Sequence, residues 1–153
     1  MFFGRYENGI DAKGRVSVPS DFRAAVASDP LNGVLIWKSF NGAFLEGGGE
    51  ALMNTFAASM ERMETYADTR VAMERQIFGG MRPLSFDSTG RITLPKEFQD
   101  WAGLDGRALF IGAFKRFEIW NPEAYAEREP EDRSLAFERR NELKPAAPAG
   151  GAS

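Results

Sequence analysis

Residues 11–22, Asp11-Ala-Lys-Gly-Arg-Val-Ser-Val-Pro-Ser-Asp-Phe22, recur seventy-six positions later as Asp87-Ser-Thr-Gly-Arg-Ile-Thr-Leu-Pro-Lys-Glu-Phe98. Asp11/Asp87, Gly14/Gly90, Arg15/Arg91, Pro19/Pro95 and Phe22/Phe98 are identical, and Val16/Ile92, Ser17/Thr93 and Val18/Leu94 match in kind. A chance pair of turns does not agree over so long a stretch, so one structural unit has been used twice. Each copy carries its own local instructions. Asp11-Ala-Lys-Gly14 suits a type I turn closing on a glycine with φ > 0. Phe3 to Ile10 is a strand leading into it, and Arg15-Val-Ser-Val18 the strand returning. Pro19 stops that strand, and Ser20 is placed to cap a short helix over Asp21 to Val26.

Outward from the motif, a second hairpin follows, with Val34-Leu-Ile-Trp37 and Ala43-Phe-Leu45 flanking Ser39-Phe-Asn-Gly42, where Asn-Gly is a turn signal. The second copy repeats the order: a strand at Leu84-Ser-Phe86, the turn, a strand at Arg91-Ile-Thr-Leu94, a helix from Lys96 to about Trp101, then strands near Leu109–Ile111 and Phe117–Trp120. Between the copies, Leu52, Met53, Phe56, Met60, Met63, Ala67, Val71 and Ile77 recur at helical spacings, which predicts one long helix or two shorter ones. Asn121-Pro-Glu-Ala-Tyr125 predicts a short capped helix with proline at its first position. The mixed run Arg128-Glu-Pro-Glu-Asp-Arg133 reads as a solvated tail, and the last ten residues, from Lys144, as disordered. The expected organisation is a first unit at 1–47, a helical insert at 48–80, a second unit at 81–126, and a charged, then disordered, tail at 127–153. Trp37, Trp101 and Trp120 read as packing residues, and Met53, Met60, Met63 and Met73 as an adaptable helical surface.

Composition narrows the chemistry. With 153 residues and 43% hydrophobic content the chain is long enough for a real core. It has no cysteine and no histidine, which removes disulfides, thiolate metal sites and the usual general base. Neither a catalytic residue, a metal ligand set nor a cofactor is expected. No apolar run suits a signal peptide or a membrane span, so the expectation is a soluble, cytoplasmic protein without a membrane role. The net charge of −3 is awkward for a nucleic-acid partner. Its distribution is less so, because Arg5, Lys13, Arg15 and Arg23 crowd the first motif while acidic residues gather in the insert and the tail.

Turn construction explains Asp11 and Gly14 without a function, since Asp accepts bonds from the turn backbone and Gly alone takes the left-handed conformation cheaply. It leaves Arg15 and Arg91 unexplained. One reading is a plain surface salt bridge from each arginine to its aspartate. The other uses the same geometry: the carboxylate buttresses the guanidinium, and the hairpin holds an arginine fork where it can meet a phosphate or a guanine edge.

The tandem DxxxR motifs, Asp11 to Arg15 and Asp87 to Arg91, resemble those of the MraZ family of bacterial regulators, which are built from two AbrB-like units. Met1-Phe-Phe-Gly4, the stretch Asp11 to Arg23, and Arg75-Gln-Ile-Phe-Gly79 strengthen the resemblance, which runs from Met1 to about Tyr125. It implies a mainly β fold with helices: a pseudo-symmetric double AbrB-like swapped-hairpin barrel, here closed within one chain, plus the helical insert. It implies a partner, double-stranded DNA carrying repeated short promoter sites upstream of the division and cell-wall gene cluster, including the chain's own gene, and usually repression. It also implies a homo-oligomer, a ring, associated with the nucleoid. Carried onto this sequence, Arg15 and Arg91 are the expected DNA contacts, positioned by Asp11 and Asp87 and assisted by Lys13, with Arg5 and Arg23 as secondary candidates. Thr89 stands where the first copy has Lys13, and Gln99 where it has Arg23, so the second hairpin is expected to contribute less affinity.

Two rival functions come from other classes. An AbrB-like antitoxin would bind a protein partner through its tail, but such proteins usually carry one unit rather than two. A carboxylate-dependent hydrolase would use paired acidic residues. The abundance of Asp and Glu is its only support in the sequence.

Overall fold

A computed structural model describes residues 1–145; the part of the expected disordered end at residues 146–153 lies outside the described residues. Each copy of the motif folds as hairpin, helix, hairpin. The first gives β1 (Arg5–Gly9), β2 (Arg15–Ser17), α1 (Ser20–Ala25), β3 (Gly33–Lys38) and β4 (Leu45–Gly48). After α2 (Glu50–Glu61) and α3 (Asp68–Met73) come β5 (Arg82–Ser85), β6 (Arg91–Thr93), α4 (Lys96–Trp101), β7 (Arg107–Ala113) and β8 (Arg116–Trp120), and then α5 (Pro122–Glu138).

The two units do not sit side by side. They interleave into a mainly β fold, with a six-stranded antiparallel sheet of order β1-β7-β8-β4-β3-β5 and a two-stranded ribbon, β2-β6. Exchanging each strand for its repeat partner reverses the sheet order onto itself, so the chain has an internal pseudo-twofold axis. The axis passes the ribbon at the Val16–Ile92 pair and the sheet at the Glu46–Glu118 pair, both made of equivalent positions. This is the swapped-hairpin architecture with both halves in one chain. The sheet ends at β1 and β5, and each of these edge strands runs through its DxxxR turn into the ribbon instead of pairing with the other.

The core explains why the motif's apolar positions matter. Val16, Val18 and Phe22 of one copy and Ile92, Leu94 and Phe98 of the other are buried together beneath the ribbon, with Ile36, Leu45, Phe110, Phe117 and Ile119 from the sheet. The alternation Arg15-Val16-Ser17 and Arg91-Ile92-Thr93 therefore sends one residue in and two out on each strand. Phe22 meets Phe2, Tyr6, Phe110 and Phe117 with ring centroids 5.3–6.2 Å apart. Pro19 and Pro95 start the motif helices. Their carbonyls accept from the backbone N–H of Phe22 and Arg23, and of Phe98 and Gln99. Ser20 is thus the first helical residue rather than a side-chain cap, with Pro19 at the cap position and no side-chain cap bond.

The insert is two helices, not one. In α2, Leu52 and Met60 are buried, and Phe56 makes an edge contact with Trp37 at 5.4 Å between centroids. Its start is capped by Asp29, whose carboxylate accepts from the Glu50 N–H at 2.9 Å. Between the helices Arg70 donates to the Met63 carbonyl at 2.8 Å and pins the loop. α3 passes into a widened turn, Glu74–Phe78, that buries Ile77 and ends at Gly79. Trp101 donates to the Phe44 carbonyl at 3.1 Å, and Trp120 stacks on Phe44 at 4.3 Å.

By its contacts the chain divides into Met1–Pro122 and the residues from Glu123 on. The second part departs from the sequence expectation: the helix does not stop near Tyr125 but runs to Glu138, through the charged run. Charges four apart become pairs on one helix face, Arg128 to Asp132 at 3.0 Å and Arg133 to Glu129 at 2.8 Å. Pro130 lies inside this helix, where it removes one backbone hydrogen bond. Among the described residues no helix is long and apolar enough to cross a membrane.

Candidate nucleic-acid interface

The two DxxxR turns have one geometry. Asp11 accepts from the backbone N–H of Lys13 and Arg15, each at 2.9 Å, and from Arg15 Nε at 2.6 Å. Asp87 accepts from the N–H of Thr89 and Arg91 at 2.9 and 3.0 Å, from Arg91 Nε at 2.8 Å, and also from the Thr89 hydroxyl at 2.9 Å. Gly14 and Gly90 close the turns at φ of 81° and 80°, where a side chain is strained. One carboxylate thus builds the turn with one oxygen and holds the guanidinium with the other. These hydrogen bonds, those from the backbone N–H of Arg15 and Arg91 foremost, hold both carboxyls below the usual carboxylate range against the opposing effect of desolvation.

The turns feed one ribbon rather than two separate sites. Arg15 pairs with Thr93 and Ser17 with Arg91 across the axis, so Arg15, Ser17, Arg91 and Thr93 form one outward face while Val16 and Ile92 face the core. Asp11 joins the two arginines, because the oxygen bound by Arg15 also lies 3.9 Å from Arg91 Nη1. The arginine side chains are equally accessible, 35% and 34%. In each, Nε is committed to its own aspartate, which fixes the plane of the fork.

The remaining sequence-predicted residues fall in different places. Lys13 is exposed at the tip of the first turn. Arg5 begins β1, at the end away from the turn, opposite Ile111. The structure does not bring it to the ribbon. Arg23 donates from Nε to the Val18 carbonyl at 3.3 Å, and its guanidinium lies against Gly90, in the turn of the other copy. Gln99 does the same across the pseudo-twofold axis, donating to the Leu94 carbonyl at 2.9 Å and lying against Gly14. Ser17 and Thr93 were given no role by the sequence reading. Their signal was the two-residue alternation itself, which puts them on the face of the neighbouring arginine once β2 and β6 pair.

At the far end of the axis Glu46 and Glu118 face each other across β4 and β8. Arg116 reaches both, at 3.2 and 2.8 Å, and Trp120 Nε1 donates to Glu118 at 2.8 Å. This carboxylate pair is held by a fixed cation and an indole, the arrangement of a sheet lock. Among the described residues no group of three or more acidic side chains is placed to hold a metal.

Comparison with known proteins adds the following. A family model described as "MraZ protein, putative antitoxin-like" matches residues 77–143. Proteins named Transcriptional regulator MraZ are similar over nearly the whole chain. The one from Caulobacter vibrioides is 40% identical with all of both chains covered. That from Phenylobacterium zucineum is 39% identical over 94% of this chain and 89% of its own, and that from Rickettsia canadensis 35% identical over 94% and 97%.

Proposed function

This chain belongs to the MraZ family of transcriptional regulators, and from that premise we propose that it acts by laying the β2–β6 ribbon on double-stranded DNA and reading sequence with Arg15 and Arg91. A regulator of this kind is not an enzyme. The observation that carries the reading is the joining of both DxxxR arginines on one outward ribbon face, each with its Nε held by its own aspartate and about a third of its side chain accessible. The major groove admits a two-stranded ribbon, and a guanidinium presented edge-on matches the two acceptors of guanine. Asp11 and Asp87 are positioning residues that hold each fork in one plane before DNA arrives, which lowers the ordering cost of binding.

Ser17 and Thr93 sit between the arginines as short hydroxyl donors, and Lys13 reaches from the turn tip to a phosphate. The resemblance supplies the wider setting: repeated short sites upstream of the division and cell-wall gene cluster, including the chain's own gene, bound by a homo-oligomeric ring that represses transcription. The place of action is the cytoplasm, on the nucleoid.

A fluorescence anisotropy titration with the chain's own upstream DNA tests the proposal. Arg15→Ala and Arg91→Ala are each expected to weaken binding by about tenfold to a hundredfold, the loss of one good base contact of about 1–3 kcal/mol. Undiminished affinity in Arg15→Ala removes the assignment. The antitoxin-like wording of the family description favours a second reading, capture of a protein partner, which a stoichiometric partner on purification from the host would reveal.

A further inference from the structure

The sequence places Arg23 in the first copy and so assigns its charge to the first hairpin. The fold places it elsewhere. α1 follows β2, but the interleaving carries the Arg23 guanidinium against the Cα of Gly90, so closely that a Cβ there would lie 2.7 Å from both Cζ and Nε. The same exchange brings Gln99 to Gly14, where a Cβ would lie 2.9 Å from Nε2. Each turn is therefore braced from beneath by the helix of the other copy, and the two braces are equivalent in hydrogen bonding and different in charge.

Counting cations by turn then gives a different result from counting them by copy. The first turn has Arg15 and Lys13, with neutral Gln99 beneath. The second has Arg91 and neutral Thr89, with cationic Arg23 beneath. Arg23 spends Nε on the Val18 carbonyl, and among the described residues no carboxylate pairs with its terminal nitrogens. It is half-buried, so its fork is held rather than free to wander. Asp11 and Asp87 pair with Arg15 and Arg91 in the free protein, so beyond those pairs the first turn carries Lys13 and the second has Arg23 against it.

We infer that Arg23 is the phosphate-contacting residue of the second hairpin, supplying from the other copy the cation that Thr89 lacks. The inference rests on the DNA-binding reading above. It makes the two ends of the ribbon equal in charge and unlike in kind: a flexible ammonium at one, a braced guanidinium at the other. DNA contacts on the two sides of the axis are then of similar strength.

Arg23→Gln is the direct test, because Gln99 shows in the same molecule that glutamine keeps the brace. The expected result is an unchanged Tm, affinity for the upstream DNA reduced about tenfold at 0.1 M salt, and a log–log salt slope smaller by about one per engaged chain. Gln99→Arg is expected to steepen the slope by the same amount. In double-mutant cycles Arg23→Gln is expected to couple to Arg91→Ala and to add independently to Lys13→Ala. Lower affinity with an unchanged slope would make Arg23 a brace only and overturn the inference, as would coupling to Lys13 instead of Arg91. If the wild type fails to bind DNA, the wider reading falls and this falls with it. If the wild type binds and Arg23→Gln binds equally well, only this inference falls.

Discussion

Asp87 accepts four hydrogen bonds where Asp11 accepts three, the difference being the Thr89 hydroxyl. Substituting Thr for Lys at that position thus exchanges a cation at the tip for a tighter carboxylate below it. Both carboxyls are held below their ordinary range, with the backbone N–H of the following arginine as the chief cause. A depressed folded-state pKa stabilises fully above the unfolded value, near 3.9 for aspartate, and that stability is lost as pH falls through the folded value. Asp87→Asn is therefore expected to lower Tm by a constant amount at and above about pH 5, with the difference from wild type shrinking below about pH 4. Thermal melts across that range check it; a difference that grows on acidification contradicts it. Asp11→Asn is expected to behave likewise and, since Asp11 alone touches both arginines, to disturb DNA binding more at neutral pH than Asp87→Asn does.

At the level of elements, α1 and α4 look interchangeable and are not. Both follow a strand-stopping proline and bury one phenylalanine, yet Phe22 sits in a cage of four aromatic rings, whereas among the described residues Phe98 has no ring contact. Either truncation to Ala is expected to cost about 3–5 kcal/mol, with Phe22→Ala at the upper end because its rigid neighbours close a cavity poorly. Urea unfolding curves with matched slopes read this directly. The same elements show what was legible beforehand. Pro19, Gly14 and the Val16/Val18 alternation specify strand, turn and helix locally, so the sequence was enough to place them. Which strand pairs with which was not local: Val16 against Ile92 follows only once two copies share one core. Arg23 beside Gly90 is a consequence of that pairing, and so escaped a reading that followed chain order. The run Arg128 to Arg133 is largely exposed, as a solvated stretch should be, but its helix was not legible, because Pro130 hides the four-residue pairing.

For the molecule as a whole, four of the six strand pairings among the described residues join one copy to the other: β1 with β7, β2 with β6, β3 with β5 and β4 with β8. Neither copy has a core of its own, so residues 1–64 and 65–153 produced separately are expected to lack fixed tertiary structure and, when co-expressed, to assemble and recover DNA binding. The same interleaving decides how many reading heads each chain offers. Two DxxxR motifs suggest two, but the ribbon merges them about one axis, so on the proposed reading a chain offers a single pseudo-twofold site, whose turns add Lys13 and Arg23 to the two Asp–Arg pairs, on a body of net charge −3. One such site is expected to bind weakly at physiological salt, since affinity from phosphate contacts falls steeply with ionic strength. On the proposed reading, tight binding is expected to come from several chains held together, each raising the effective concentration of the next. Duplexes carrying one, two and three copies of the repeat, at the natural spacing, test this in a salt series. Affinity is expected to rise by more than tenfold with each added repeat at 0.15 M salt, with the log–log slope growing in proportion to the number of chains engaged. Equal affinity for one repeat and three would show that a single ribbon suffices and that assembly serves some other end.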